Sequence, residues 1–354
     1  MAKVFVFAPS GDTRGLLEGG GCEVVLGKAG WHTPQGNNEP EMVAMAAEAD
    51  ALTGTSIRSS PISRNIMLAS RNLRIVAKST VGVDDIDVEA ATELGILITH
   101  APTESNWGAV AEGTVAIVLA LLKRVRERDA QVKGGGWRDE TLQGTYLGRR
   151  LSDGYPGITL GIIGLGRIGG RVSQLFRPWN MRVIASDPYI PDYRFLEFGV
   201  EPVDLDTLLR ESDVVSMHVV LNKETRHMMA AEQFSLMKPS AIFVNTSRGG
   251  AVDEASLARA LEEGTIRAAG MDVFEDEPIS RGSPLRRLGD KVLLSPHMVS
   301  ANQGGGLGGL GHGSVWAAEA VLRALAGELP EHVFNADVIP LWLERFGGKS
   351  VLRR

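Results

Sequence analysis

Cysteine is almost missing from this chain: Cys22 is the only one in 354 residues. One thiol closes no internal disulfide, and no Cys/His cluster offers the spacing a metal requires. Cys22 sits in the apparent strand Cys22-Glu23-Val24-Val25-Leu26 and reads as a small buried hydrophobe, not a nucleophile. Basic charge is not in excess either. Lys and Arg number 37 against 43 Asp and Glu, a net charge of −6. No nucleic-acid or anionic-membrane partner is therefore expected, because phosphate surfaces are bound by clustered Lys and Arg. No apolar run approaches the roughly 20 residues needed to span a bilayer. The first run, Met1 to Ala8, stops at Pro9-Ser10-Gly11, shorter than the core of a signal peptide and without its cleavage site. A reducing, cytoplasmic setting is the expectation.

What is present is an ordinary globular composition, 44% hydrophobic and 23% charged, in a chain long enough for two domains. Short, apolar, β-branched runs recur at Val4–Ala8, Glu23–Leu26, Ala51–Thr53, Leu73–Lys78 and Ile96–Thr99. Helix-length segments lie between most of them, the pattern of a parallel sheet covered by helices. From Glu104 to about Arg128, apolar positions return at helical spacing, and the charged end at Lys123–Asp129 reads as a solvated last turn. Gly134-Gly135-Gly136-Trp137 breaks the period, and the stretch to Pro156 reads as an irregular arm. Trp137, Tyr146 and Leu147 of that arm pack either on a partner subunit or on their own chain. A second series follows at Leu160–Ile163, Arg182–Ser186, Val214–His218, Ala241–Asn245, Gly270–Val273 and Val292–Ser295, enough for a doubly wound sheet. Residues 304–313 hold seven glycines, read either as a loop or as a helix whose glycines allow very close packing. Ser314–Ala326 is helical, and 336–354 reads as a tail.

Leu160–Ile163 runs into Gly164-Leu165-Gly166-Arg167-Ile168-Gly169, with a helical segment after it. A lone G-x-G-x-x-G is weak evidence, but this one stands in the strand–turn–helix setting that its mechanism requires. Gly164 makes the turn, Gly166 admits a pyrophosphate to the backbone, and Gly169 lets helix and strand pack. The next strand ends at Asp187, about 20 residues on, where a carboxylate binds the adenosine ribose hydroxyls. That carboxylate would repel a 2′-phosphate, and no Arg or Lys follows until Arg194, so NAD is expected over NADP.

A nucleotide fold does not by itself name a reaction. Three later segments place polar residues beyond strand ends: Asn245-Thr246-Ser247-Arg248-Gly249, Asp272-Val273-Phe274-Glu275-Asp276-Glu277-Pro278 and Ser295-Pro296-His297. Together with Val81-Gly82-Val83-Asp84-Asp85-Ile86-Asp87, Val110-Ala111-Glu112 and the glycine loop, they make the chain resemble the D-isomer-specific 2-hydroxyacid dehydrogenase family from about Leu73 to Asn335. The resemblance implies an enzyme that moves a hydride between NAD and a small 2-hydroxy or 2-keto acid. It implies Arg248 as the residue that binds the substrate carboxylate and carbonyl, His297 as acid/base, and Glu277 as its partner carboxylate. The residue types suit those tasks. An imidazole exchanges a proton near neutrality, and a guanidinium fork fits a carboxylate better than an ammonium does.

Further contacts are implied by the same resemblance. Val81 and Gly82 would offer main-chain N–H groups to the substrate carboxylate, with Asn106 near the substrate. Arg167 and Ile168 would donate to the pyrophosphate. Thr114, Thr246 and Asp272 would lie by the nicotinamide, Asp272 binding its carboxamide; for Thr114 and Asn106, ordinary helix-face packing is the competing reading. The implied fold is α/β, with two Rossmann-like domains, one flavodoxin-like and one doubly wound and NAD-binding, and an interdomain cleft. Residues 1–100 plus 301–335 would form the substrate domain, 101–300 the NAD-binding domain, and the assembly would be a homodimer. An NAD(H)-sensing, co-repressor-like binding protein of the same fold is the alternative.

Overall fold

The computed structural model describes residues 1–28, 36–55, 61–301 and 311–352. The chain divides into two compact units, Met1–Asn106 with Ala301–Arg354, and Trp107–Ser300.

The first unit holds a five-stranded parallel sheet of β1 (Ala2–Ala8), β2 (Cys22–Leu26), β3 (Ala51–Gly54), β4 (Ile75–Lys78) and β5 (Leu97–Thr99), in the order β2-β1-β3-β4-β5. That is the flavodoxin-like order. β3, β4 and β5 are buried along their whole length, as strands covered on both faces must be. One cover is the helix Gly311–Ala326, which buries Gly313, Ser314, Ala317, Ala318, Val321, Ala324 and Leu325 at helical spacing. Its first turn uses glycine for close approach: a Cβ on Gly313 would lie 2.1 Å from the Ser79 carbonyl oxygen. The close-packing reading of the glycine-rich run is thus met at Gly313, while 304–310 lies outside the described residues.

The last segment is no tail. Trp342 of the helix Ile339–Phe346 is fully buried and donates from Nε1 to the Arg74 carbonyl at 2.9 Å, and Arg74 reaches the Lys349 carbonyl at 2.6 Å. The apolar face of that helix is completed only by residues far away in sequence, which is why 336–354 looks unattached when read alone. Cys22 is buried, and burial foremost, with Asp50 adding to it, pushes its thiol up to about 11. It stays a protonated, packed hydrophobe.

The second unit carries a seven-stranded parallel sheet: β6 (Thr159–Ile163), β7 (Arg182–Ser186), β8 (Glu201–Pro202), β9 (Val214–Met217), β10 (Ile242–Asn245), β11 (Ala268–Met271) and β12 (Val292–Leu294). Its order is β12-β11-β10-β9-β6-β7-β8, the doubly wound order with one strand added at an edge. β8, an exposed two-residue strand ending in proline, is one strand more than the sequence suggests. It is too short to show a period. The order reverses between β6 and β9, and ligands bind in open α/β sheets at the carboxyl ends beside such a point.

The helix expected from Glu104 to Arg128 is two helices, Glu104–Leu122 and Val125–Lys133, broken at Arg124 with φ +53°. Glu104–Leu122 is also long and apolar enough, by length and composition, to cross a membrane, contrary to the sequence reading. It buries Ala109, Ala111, Thr114, Ile117, Val118, Leu121 and Leu122, as the core helix of a folded domain does. In the arm, Leu147 packs into this unit's own core, whereas Trp137, Leu151 and Tyr146, which lies edge-on to Tyr155, are exposed.

Candidate active site

β6 runs into Gly164, whose φ of +87° is open to glycine at little cost, and a Cβ there would lie 2.7 Å from the His218 carbonyl oxygen. The helix Arg167–Phe176 starts three residues later. A Cβ on Gly169 would lie 2.2 Å from the Gly164 oxygen, so this glycine is required by the packing of helix on strand. Gly166 differs. Its φ of −76° suits any residue, and a Cβ on it would meet no atom of the described residues within 4 Å. The protein itself gives no reason for a glycine here; a ligand resting on the backbone does. Among the described residues no side chain caps this helix start, and its N–H groups carry the partial positive charge that a pyrophosphate needs.

Asp187, one residue beyond β7, closes this corner. Its Oδ2 accepts from the Leu165 N–H at 2.9 Å and its Oδ1 from the Tyr189 N–H at 3.0 Å. The carboxylate is thereby oriented beside the glycine turn and remains partly exposed. Across the switch point stands His218, whose Nε2 pairs with Ser216 Oγ at 2.9 Å. Burial pushes its imidazole down to about 3, so it is neutral at ordinary pH.

The residues beyond β10, β11 and β12 are organised by one another. The Asn245 side chain accepts from Ser247 N at 2.9 Å and Ser247 Oγ at 2.8 Å, and donates to the Arg248 carbonyl at 2.9 Å. It folds N-T-S-R into a tight knot that sets the origin of the Arg248 side chain. Arg248 is half-buried, with Nη1 on the Ser247 carbonyl at 2.7 Å. Thr246 Oγ1 pairs with Thr114 Oγ1 at 2.8 Å, and Thr114 also donates to the Val110 carbonyl at 2.8 Å, which ties this loop to the core helix.

Glu277 Oε1 accepts the Phe274 N–H at 2.9 Å, and its Oε2 lies 2.8 Å from His297 Nδ1. Against an ionised carboxylate Nδ1 is the donor, which leaves Nε2 as the atom that exchanges a proton. The His297 side chain is 41% exposed and that of Glu277 only 14%, so the ring reaches outward from a sheltered partner. His297 holds a φ of +56°, unfavourable for a residue with a side chain. Asp272 maintains it: Oδ1 takes the Met298 N–H at 2.9 Å and Oδ2 the Val299 N–H at 3.3 Å. Asp272 is buried, and burial raises its carboxyl above the usual range against the lowering effect of these bonds. Alongside the nicotinamide contact that the resemblance implies, the geometry gives Asp272 the anchoring of the histidine loop. That role and the knot made by Asn245 are not visible in the sequence, where both residues are simply polar ends of strands.

In the first unit, Val81 and Gly82 lie on the loop after β4. The Val81 carbonyl faces His100 Nδ1 at 3.1 Å, and the Gly82 carbonyl accepts from Thr80 Oγ1 at 3.4 Å. Their N–H groups have no acceptor among the described residues. Asn106 is half-buried at the start of the core helix, its N–H on the Thr103 carbonyl at 3.0 Å.

The model for the D-isomer specific 2-hydroxyacid dehydrogenase NAD-binding domain matches residues 115–299. The chain is 39% identical over 298 residues to a glyoxylate reductase of Aeropyrum pernix, covering 84% of this chain and 86% of that protein. It is 38% identical over 306 residues to a D-3-phosphoglycerate dehydrogenase of Methanocaldococcus jannaschii, covering 86% of this chain but only 55% of that longer protein. Among solved structures, the TT0316 protein of Thermus thermophilus is similar with a TM-score of 0.80 and 30% identity, over 94% of this chain and 100% of that one.

Proposed function

This chain belongs to the D-isomer specific 2-hydroxyacid dehydrogenase family, and from that premise we propose that it interconverts a small 2-keto acid and its D-2-hydroxy acid with NAD(H). The His297–Glu277 pair carries the reading: a sheltered carboxylate 2.8 Å from an outward-reaching imidazole is the arrangement that positioned proton transfer requires. When bound, NADH supplies the hydride to the carbonyl carbon. His297 Nε2 gives a proton to the carbonyl oxygen, and in the oxidative direction it takes the proton from the hydroxyl. Glu277 fixes the ring and compensates the charge of the imidazolium. Arg248 binds the acid through its planar fork of donors and polarises the carbonyl.

In the cofactor loop, Gly164 makes the turn, Gly166 admits the pyrophosphate to the main-chain donors of Arg167 and Ile168, and Gly169 packs the helix on the strand; Asp187 holds the adenosine ribose, and Thr114 and Thr246 border the nicotinamide. Val81 and Gly82 give their N–H groups to the substrate carboxylate, and Asn106 contacts the substrate. The first unit, Met1–Asn106 with Ala301–Arg354, serves as the substrate domain and the second, Trp107–Ser300, as the NAD-binding domain. Exposed Trp137 and Leu151 of the arm support a homodimer.

The test is NADH consumption with a panel of glyoxylate, hydroxypyruvate, pyruvate, phenylpyruvate and sugar-derived keto acids, at saturating cofactor. Steady turnover with at least one acid is expected. NADH binding without turnover on any of them would overturn the enzyme reading in favour of a binding protein.

A further inference from the structure

Lys78, the last residue of β4, is buried with its ammonium 2.6 Å from Asp85 Oδ2; the two side chains are 0% and 4% exposed. The same nitrogen donates to the Thr55 carbonyl at 3.1 Å and lies 5.4 Å from the centre of the Phe7 ring. Charges are rarely taken out of water to this degree, because desolvation consumes most of the attraction gained. The pair is better understood through what it encloses. Lys78 and Asp85 are seven residues apart and close the loop between them into a ring, and that loop contains Val81 and Gly82.

The rest of the loop is held through its carbonyls. Asp85 O accepts the Ile62 N–H at 2.7 Å, and Thr80 O accepts the Ala101 N–H at 2.9 Å. Val81 O and Gly82 O are taken by His100 and Thr80 as described. With these carbonyls committed and the ends clamped, the adjacent N–H groups of Val81 and Gly82, which have no acceptor among the described residues, are held ready for a ligand. Two adjacent main-chain donors suit a carboxylate, but they bind it well only if they are held in place beforehand.

We propose that Lys78 and Asp85 are positioning residues whose buried pair sets the Val81–Gly82 donors for the substrate carboxylate. The inference rests on the dehydrogenase reading above and deepens it. The ammonium does not meet the substrate; it acts through the loop. Loss of the pair therefore weakens binding of the acid and leaves proton transfer and cofactor binding alone.

The decisive variant is Lys78→Met with Asp85→Leu, which removes both charges together and avoids stranding one of them in the interior. Single Asp85→Asn is the second variant, read at a temperature below its own unfolding midpoint. The expected result is a KM for the keto acid raised about tenfold, with kcat at saturating acid and the KM for NADH within about twofold of the parent. A pair that only stabilises the fold predicts a shifted melting midpoint and an unchanged KM for the acid. Either variant folding with the KM for the acid within about twofold of the parent overturns the proposal. A parent enzyme with no turnover on any acid overturns the dehydrogenase reading, and this proposal with it. Parent turnover with unchanged variant KM overturns this proposal alone.

Discussion

Glu277 spends one carboxylate oxygen on the Phe274 N–H and turns the other to His297 Nδ1, 2.8 Å away. The main chain thus fixes the carboxylate, and the carboxylate fixes the tautomer of the ring. His297→Asn should lower kcat by roughly 10²–10⁴-fold and leave NADH binding close to wild type, as titrated by NADH fluorescence. Glu277→Gln should lower kcat less, by about tenfold or more, again without loss of cofactor affinity. An asparagine variant keeping more than about a tenth of the rate would remove His297 from the chemistry.

The glycines of the loop should separate folding from cofactor binding. Gly166→Ser adds an N-cap hydroxyl where none of the described residues lies within 4 Å, so stability should change by only a few tenths of a kcal/mol. NADH affinity should fall about tenfold or more, because the side chain fills the pyrophosphate space and occupies its donors. Gly169→Ala, whose Cβ meets the Gly164 oxygen at 2.2 Å, should cost about 1–3 kcal/mol in urea unfolding. Equal effects of the two substitutions on both measurements would contradict this division.

Asp187 should set the choice of cofactor. A carboxylate beside the ribose hydroxyls repels a 2′-phosphate, so kcat/KM for NADH should exceed that for NADPH. Asp187→Ser should narrow the ratio by about tenfold, equivalent to about 1.4 kcal/mol. The variant should also lose some NADH affinity, since Asp187 holds the Leu165 N–H. Parity between the cofactors in the unaltered enzyme would be decisive against this assignment.

His218 should give the protein an acid-sensitive element. Its imidazole is pushed from 6.5 to about 3 by burial, and its Nδ1 is buried without a partner among the described residues. A depressed folded value means that the contribution is intact above pH 6.5. As pH falls from there toward 3, the unfolded chain takes up a proton that the folded chain refuses. Stability should drop by up to about 1.4 kcal/mol per pH unit on this account. The difference in unfolding free energy between wild type and His218→Gln should therefore shrink on acidification; a gap independent of pH would refute it.

The parts of this protein legible in its sequence are those governed by short spacing. Strand, turn and helix around Gly164–Gly169 lie within a few residues of one another, so the pattern of glycines and the following Asp187 are enough to announce a nucleotide site. Alternating β-branched runs and helical segments likewise announce parallel sheets, because both periods are local. Residue types at strand ends marked Arg248, Glu277 and His297 as chemically apt.

Other features depend on which distant groups meet. The break at Arg124, the burial of Trp342 against Arg74, the grip of Asp272 on the loop that bends His297, and the Asn245 knot involve partners chosen by packing, not by spacing. Lys78 shows the difference most sharply. A lysine closing a strand reads as a solvated charge unless its partner is known, and Asp85 becomes that partner only once the intervening loop has folded back on itself. Sequence alone determined the kinds of groups available and the local turns that present them. Tertiary structure decided which charges leave water and which main-chain donors remain for a ligand, because desolvation and hydrogen-bond geometry are properties of the assembled neighbourhood.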